Sequence, residues 1–571
     1  MRLPGGFGTD GAAAPAVSVA DGGLIERDHY EVLGDSGHGW SLLTLLENRD
    51  AAIAEANSRF GESRFIAVRV IKSSYDSESN EFREREALFL GERRRPLSGG
   101  PVDEDIGPVC SRVEHMFTAQ ARRTVRRLLG DWLHRQNIAA IELLYHVDHQ
   151  QRLENAGLLL QSAVQRAARA QAGAAGGDVH KRLRDLYLLC DALSAQVRRI
   201  WREGRVLPLA GDDIAGLATA VAGEPDRSLL FNAALVAELR GVPTVPEKLR
   251  WLLGRLAANR RADVVYLLDG IIAGFLEEQA AVAEMMGPQP SLGAALLHLF
   301  DMLVGNPLPD AEPEIERLRG AIRRDELPRC RDVLARRLVA SLRGSRPLVE
   351  HNVDAEMALH ATFEQRFDKA PVDTVRLAEM REALEQRCGR FVTPSGLNRL
   401  LERYPRADVR FRCLLGLARG IVGDENRARM GDAIVAEMND ERFAVHLLKP
   451  TNAPVERMRE LRALQGQVET SGLPGAHAAL IDARLDDMCA GLARASRLYE
   501  RLEQRDGDRL DKALALLALI AAGTFTRGTA LAAAHRRVHD YLKRHGTTPQ
   551  KRMPDLRRAL RAAGMDEPAS S

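Results

Sequence analysis

The chain has 571 residues, more than the roughly 250–300 that a single hydrophobic core accommodates, so two or three domains are expected. A formal net charge of +2, with 45% hydrophobic and 28% charged residues, is an ordinary globular composition; it excludes a chain drawn as a whole to nucleic acid or membrane by its charge. Aromatic residues make up only 5%, while Ala, Leu, Arg and Glu abound, which favours helix over sheet.

Residues 1–24 are rich in Gly and Ala and read as a disordered leader without a signal-peptide apolar run. The stretch GFGTDG at 6–11 matches the glycine spacing of a dinucleotide loop, but no strand precedes it and no helix follows, so it offers no phosphate cradle. A small α+β domain is expected over 25–96, in the order β-β-α-β-β. HYEVL and GWSLLTLL are its first strands, joined by the turn GDSGHG; His38 stands where a nucleophile elbow needs its last glycine, so a hairpin loop is the better reading. NRDAAIAEANSRFG reads as a helix with Asn48 as N-cap and Gly61 just past its end. RFIAVRVIKS alternates as a strand with Ile66, Val68 and Val70 on one face, and REREALFL supplies the fourth strand. The helix is expected to cover one sheet face.

Residues 97–109 are Gly, Pro and acids without period, a linker by composition. Beyond them the pattern is almost wholly helical. A helical domain is expected over 110–304, with helices at 111–135, 138–170, 179–203, 227–240, 245–257 and 262–285. A second linker is expected at 305–314, where prolines cluster. A second helical domain ending in basic helices then runs over 315–563, followed by a disordered tail at 564–571. No fixed repeat is present, so the body reads as irregular bundles or an irregular α-solenoid. The longest uncharged apolar stretch, 513–526, falls short of the roughly 18–20 residues that span a bilayer and reads as a core helix. Cys110, Cys190, Cys330, Cys388, Cys413 and Cys489 form no CxxC pair and no short cluster. That spacing argues against a structural zinc site and a disulfide framework, and suits a reducing cytoplasm.

Three groups of residues invite chemistry. Within IELLYHVDHQQRLENAGLLL, at 141–160, Glu142, His146 and His149 stand at i, i+4 and i+7 and would stack on one side of a helix. On a helical wheel they fall at about 100°, 140° and 80° from Ile141, on the polar side, so a solvated face with a Glu–His pair is preferred to a metal site. A metal would need a covering element to bring a further ligand; His134 is the nearest candidate in sequence. A second pair, His535 and His539, lies among arginines that would repel a cation. The same region, from 527 to 564, holds ten Arg/Lys against two Asp. There Arg536, Arg537, Lys543 and Arg544 are the candidate phosphate contacts, with Tyr541 the single aromatic for base stacking. Asp269, His298 and Asp301 sit in apolar helices, where a carboxyl would be shifted as general acids are; an acid-base enzyme would be sought there first.

No motif combines into coherent chemistry. The leading expectation is therefore a non-catalytic cytosolic regulatory or scaffold protein, without a cofactor, whose helical body binds a protein partner. The alternatives are a nucleic-acid-associated factor acting through the basic C-terminal helices and a metal-dependent enzyme.

Overall fold

The structure is a computed structural model that describes residues 29–35, 40–62, 64–76, 81–91, 109–175, 177–308, 311–371, 374–448, 453–545 and 552–565. The leader, His38 with the tip of its loop, nearly all of the 97–109 linker and the tail from 566 lie outside the described residues. The fold is mainly α, with one small N-terminal antiparallel sheet ahead of a large helical body.

Four strands, β1 (His29–Asp35), β2 (Trp40–Leu46), β3 (Ala67–Asp76) and β4 (Glu81–Gly91), lie in the order β2-β1-β3-β4. Helix α1 (Arg49–Gly61) joins β2 to β3. It starts where the sequence says it should: the Asn48 side chain accepts from the backbone N–H of Asp50 (2.8 Å) and Ala51 (3.1 Å). Its end differs, since Gly61 is the last helical residue and Glu62 caps the helix in right-handed backbone. α1 lays Ala52 and Ala56 on Val32, Leu43, Val68 and Val70, with Phe65 closing the edge. At Gly34 a β-carbon would come within 2.6 Å of the Phe65 ring, so this close approach needs glycine. Ile66 does not share the inward face of Val68 and Val70: it precedes β3 and is 43% exposed.

The expectation of one covered sheet face is too modest. Leu33, Leu42 and Ile71 are also buried, packed with Leu159. Helices α2 (Val113–Met116), α3 (Ala119–Gln136), α4 (Val147–Asn155), α5 (Leu158–Ala175) and α6 (Val179–Arg202) follow, and α3 and α5 close that second face. Buried Glu31 pins the contact. It accepts from Ser162 Oγ (2.9 Å) and Arg166 Nε (2.7 Å), both on α5. Burial alone would raise its carboxyl, but His29, Arg166 and Arg169 outweigh that and bring it down to about 2. Strand and helix are therefore stapled by a paired buried charge, and the sheet belongs to the same compact unit as the helices after it.

The segments at 179–203, 227–240 and 245–257 are single helices as predicted, whereas those at 111–135, 138–170 and 262–285 are broken. The one expected at 138–170 is a left-handed residue, Asn137 (φ 52°), a 3₁₀ turn at Glu142–Leu144, α4, and α5 after Gly157 (φ 42°). The expected 262–285 helix is two, α10 (Ala262–Leu276) and α11 (Gln279–Met286). Between them and α6 lie α7 (Ile214–Ala220), α8 (Arg227–Leu239) and α9 (Val245–Ala258); α12 (Leu292–Val304), α13 (Pro313–Arg323) and α14 (Pro328–Arg343) come after. The described part of 305–314 acts as helix punctuation. Gly305 turns at φ 81° and Pro313 occupies the first turn of α13, which packs on α9.

The division between compact units accordingly falls between Arg346 and Pro347, with Ser291–Gly293 counted in the second unit. That second unit is a helical assembly around Phe411, Leu414, Ile434, Phe443, Leu485 and Leu517. The apolar stretch from 513 lies largely in the helix Arg509–Ala521, whose buried face joins this core. Among the described residues no helix is long and apolar enough to cross a membrane.

Candidate functional site

Glu142, His146 and His149 do come together, though not on one helix. Asn137 ends α3 in the left-handed region, and its N–H and that of Ile138 close back onto His134 and Leu133 carbonyls. The chain then turns through Glu142–Leu144, and His146 becomes the N-cap of α4, its Nδ1 accepting from the Asp148 N–H (3.1 Å). The helical wheel therefore does not apply. Instead of a solvated face, the three side chains are 0–4% exposed. The His146 and His149 rings stand 5.0 Å apart, with Trp201 edge-on to His146 at 4.6 Å.

Other elements do cover this group, and they bring cations in place of a further ligand. Lys248, on α9, donates to Glu142 Oε1 (2.8 Å), Glu142 Oε2 (3.1 Å) and the Asn137 carbonyl (2.8 Å). Glu142 Oε2 also accepts from the Ala139 N–H at 2.7 Å. Arg240, which ends α8, sets Nη1 3.5 Å from His146 Nε2. His149 Nε2 lies 3.9 Å from Glu142 Oε1, beyond hydrogen-bond reach, and neither ring nitrogen of His149 has a hydrogen-bond partner.

The electrostatics follow from this packing. Burial holds His146 down to about 4, helped by Arg240, and His149 down to about 3, helped by His146 and Lys248. Burial raises the Glu142 carboxyl, with Lys248 opposing. A dication would have to sit against an ammonium and a guanidinium already in place. Among the described residues no group of three or more His, Cys, Asp and Glu is arranged to hold a metal ion. His134 is exposed and does not join the cluster. What the arrangement does is hold a chain reversal: one carboxylate and one ammonium tie residues 137, 139 and 142 together.

The same segment walls a cavity. Leu143, Leu144, Gln150 and Leu153, with side chains of α3, α5 and α6, enclose about 170 Å³ of largely apolar space, partly open to solvent.

Asp269 is buried on α10, and its carboxylate accepts from the N–H groups of Arg329 (3.0 Å) and Cys330 (2.9 Å). These are first-turn N–H groups of α14, whose own preceding residue, Leu327, has no side chain able to cap them. On the opposite side of α10 a β-carbon at Gly274 would meet Ile141 within 2.2 Å, so the small residue admits the turn that carries Glu142. Asp301 accepts from Asn306 Nδ2 (2.7 Å), and burial lowers the half-buried His298 imidazole. The structure brings neither of them to Asp269.

In the second unit, Arg536, Arg537, Lys543 and Arg544 are all exposed on the helix Thr529–His545. Tyr541, the aromatic expected to stack on bases, is turned inward and 5% exposed. Neighbouring basic residues are already paired: Arg552 with Asp508 and Asp511, Arg527 with Glu469. His535 is half-buried and His539 exposed.

Two arrangements escaped the sequence reading. One is Lys248, whose signal was its position: it shares the inward stripe of α9 with Leu249, Leu252 and Leu256. The other is Cys388, whose Sγ lies 3.2 Å from His360 Nδ1, with Glu356 and Arg387 beside them. Both are fully buried. Burial pushes the thiol up to about 12 and the imidazole down to about 3, the opposite of an activated thiolate pair. These partners are 28 residues apart in sequence, and no spacing rule connects them.

No protein-family model, curated protein or solved structure matches the chain.

Proposed function

We propose that this chain is a non-catalytic regulatory or scaffold protein of the cytoplasm whose helical body binds a protein partner. One observation carries the reading: the fully buried acid–base groups described above are tied into the fold. Glu142 ties a chain reversal, Asp269 caps a helix, and the Cys388–His360 pair is neutral and closed to solvent. A nucleophile or general acid needs access and a shifted pKa together, and these groups lack the access. All six cysteines are free thiols, which suits a reducing compartment.

A second reading has its own support. The exposed cations Arg536, Arg537, Lys543 and Arg544 share one helix and fit a nucleic-acid-associated factor. One experiment separates the two. The full chain is captured from its native cell in the presence of nuclease and about 0.5 M salt, which screens phosphate contacts strongly. A protein recovered at fixed stoichiometry under those conditions supports the scaffold reading. Partners lost on nuclease treatment, and lost equally on neutralising the four cations, replace it with the nucleic-acid reading.

A further inference from the structure

We propose that the cavity among α3, α4, α5 and α6 is a binding site for a small neutral apolar molecule, of the size of one aromatic ring, that carries a hydroxyl group. The inference stands apart from the protein-partner reading and does not depend on it.

Size is the first argument. This space, partly open to solvent, holds about 170 Å³. An apolar cavity of about 150 Å³ is enough to hold benzene. The walls are Leu128, Leu129, Leu143, Leu153, Val164 and Leu186 among others, so the space rewards an apolar occupant.

Charge is the second. The lining includes no lysine, arginine or histidine, so nothing there would pair with an anion. Of its two carboxylates, Glu154 is already bound by Arg198 at 2.5 Å, and Asp191 is exposed. A neutral ligand fits this environment better than either ion.

Polar satisfaction is the third. Two lining residues keep a buried polar atom without a hydrogen-bond partner, Gln150 Oε1 and Tyr187 Oη. The Gln150 carboxamide is fixed, because its Nε2 donates to the Leu143 carbonyl at 2.8 Å. Its oxygen is therefore left as an acceptor. The Tyr187 phenol stays protonated, pushed up to about 12 by burial and the neighbouring Cys190 and Asp191, and is left as a donor. Both atoms are covered by neighbouring side chains, so a ligand hydroxyl meets either one on a small shift of the lining, and unmet buried polar groups are costly enough to select for that shift.

The test uses the full chain with phenol, benzene and benzoate as probes, read by thermal unfolding and titration calorimetry. Phenol near saturation is expected to raise Tm by about 2–4 °C, benzene by less and benzoate not at all. Filling the cavity with Ala167→Phe is expected to abolish both shifts. Should that variant fail to fold, Tyr187→Phe and Gln150→Leu decide: they keep the benzene shift, and at least one loses the advantage of phenol. Absence of any shift with phenol and benzene overturns the proposal. So does a full shift in folded Ala167→Phe, a phenol advantage unchanged in both polar variants, or benzoate binding above phenol.

Discussion

At the scale of single residues, the buried Glu142–Lys248 pair sets the strongest expectation. Taking a carboxylate and an ammonium out of water costs several kcal/mol each, and only their mutual contact with the 137 and 139 backbone offsets it. Removing one partner leaves the other charge buried alone. Lys248→Met is therefore expected to lower stability by about 3–5 kcal/mol in urea unfolding. Lys248→Met combined with Glu142→Gln should recover a large part of that loss. A double variant no more stable than the single one would show that the pair is not coupled.

The histidines add a pH dependence whose direction is set by burial. His146, His149 and His360 are held down to about 4, 3 and 3, below the ordinary 6.5. A depressed folded pKa means that the unfolded chain takes up protons first as the pH falls. Their stabilising contribution is thus complete above pH 6.5 and is lost progressively toward the folded values, by up to about 1.4 kcal/mol per pH unit for each histidine. Unfolding free energies measured from pH 7 to pH 4 should fall along this course, and His149→Phe should make the fall shallower. A profile flat down to pH 5 would contradict neutral, buried imidazoles.

At the scale of elements, recurrent devices join segments distant in sequence: a buried carboxylate from one helix caps the start of another. Asp269 serves α14, and Asp486 serves the helix Thr529–His545 through the Thr529 and Ala530 N–H groups and the Thr526 and Thr529 hydroxyls. Burial alone would raise the Asp486 carboxyl, but these hydrogen bonds hold it below its ordinary range. Asp269→Ala and Asp486→Ala are each expected to cost about 2–3 kcal/mol, more than an exposed N-cap, because they also leave buried donors unmet. Their effect should appear in stability with the helix content of the native state retained. Glu31 plays the matching part between sheet and α5. Its contribution is complete above the ordinary value of 4.5 and fades as the pH falls toward 2, so Glu31→Gln should flatten that part of the acid limb and lower stability at neutral pH by about 3 kcal/mol.

These devices also mark the limit of what is legible in the sequence. The succession of strands and α1 along the chain could be read because alternation and the Asn48 cap are local signals. The breaks within 138–170 could not. They rest on the 3₁₀ turn Glu142–Leu144 and on an imidazole acting as the N-cap of α4, neither of which announces a helix end. With the helix misread as continuous, the wheel placed Glu142, His146 and His149 toward solvent; they meet instead through the turn at Glu142–Leu144 and the start of α4. Long-range partners such as Lys248 for Glu142 or Cys330 for Asp269 have no sequence spacing to betray them.

At the scale of the whole molecule, proline density and core membership give different boundaries. The cluster at 305–314 looks like a linker, yet α13 and α14 pack on α9 and α10, and the compact units divide after Arg346. Periodicity marks where helical segments run, but it does not tell which helices share a core. The second unit draws its core from residues between Met357 and Leu560. Within that unit the Gly293 N–H donates to the Leu348 carbonyl at 2.9 Å, and Gly293 packs at Leu348 and Leu359. A chain of residues 347–571 is therefore expected to fold alone, with helical circular dichroism and one cooperative urea transition. Arg536, Arg537, Lys543 and Arg544 lie within it, so the same fragment is a fair object for measuring nucleic-acid binding against salt. If contacts from these four side chains account for the binding, neutralising them should reduce the slope of log affinity against log salt by up to about 4. A fragment that stays unfolded, or one that unfolds without cooperativity, would show that residues before 347 complete its core.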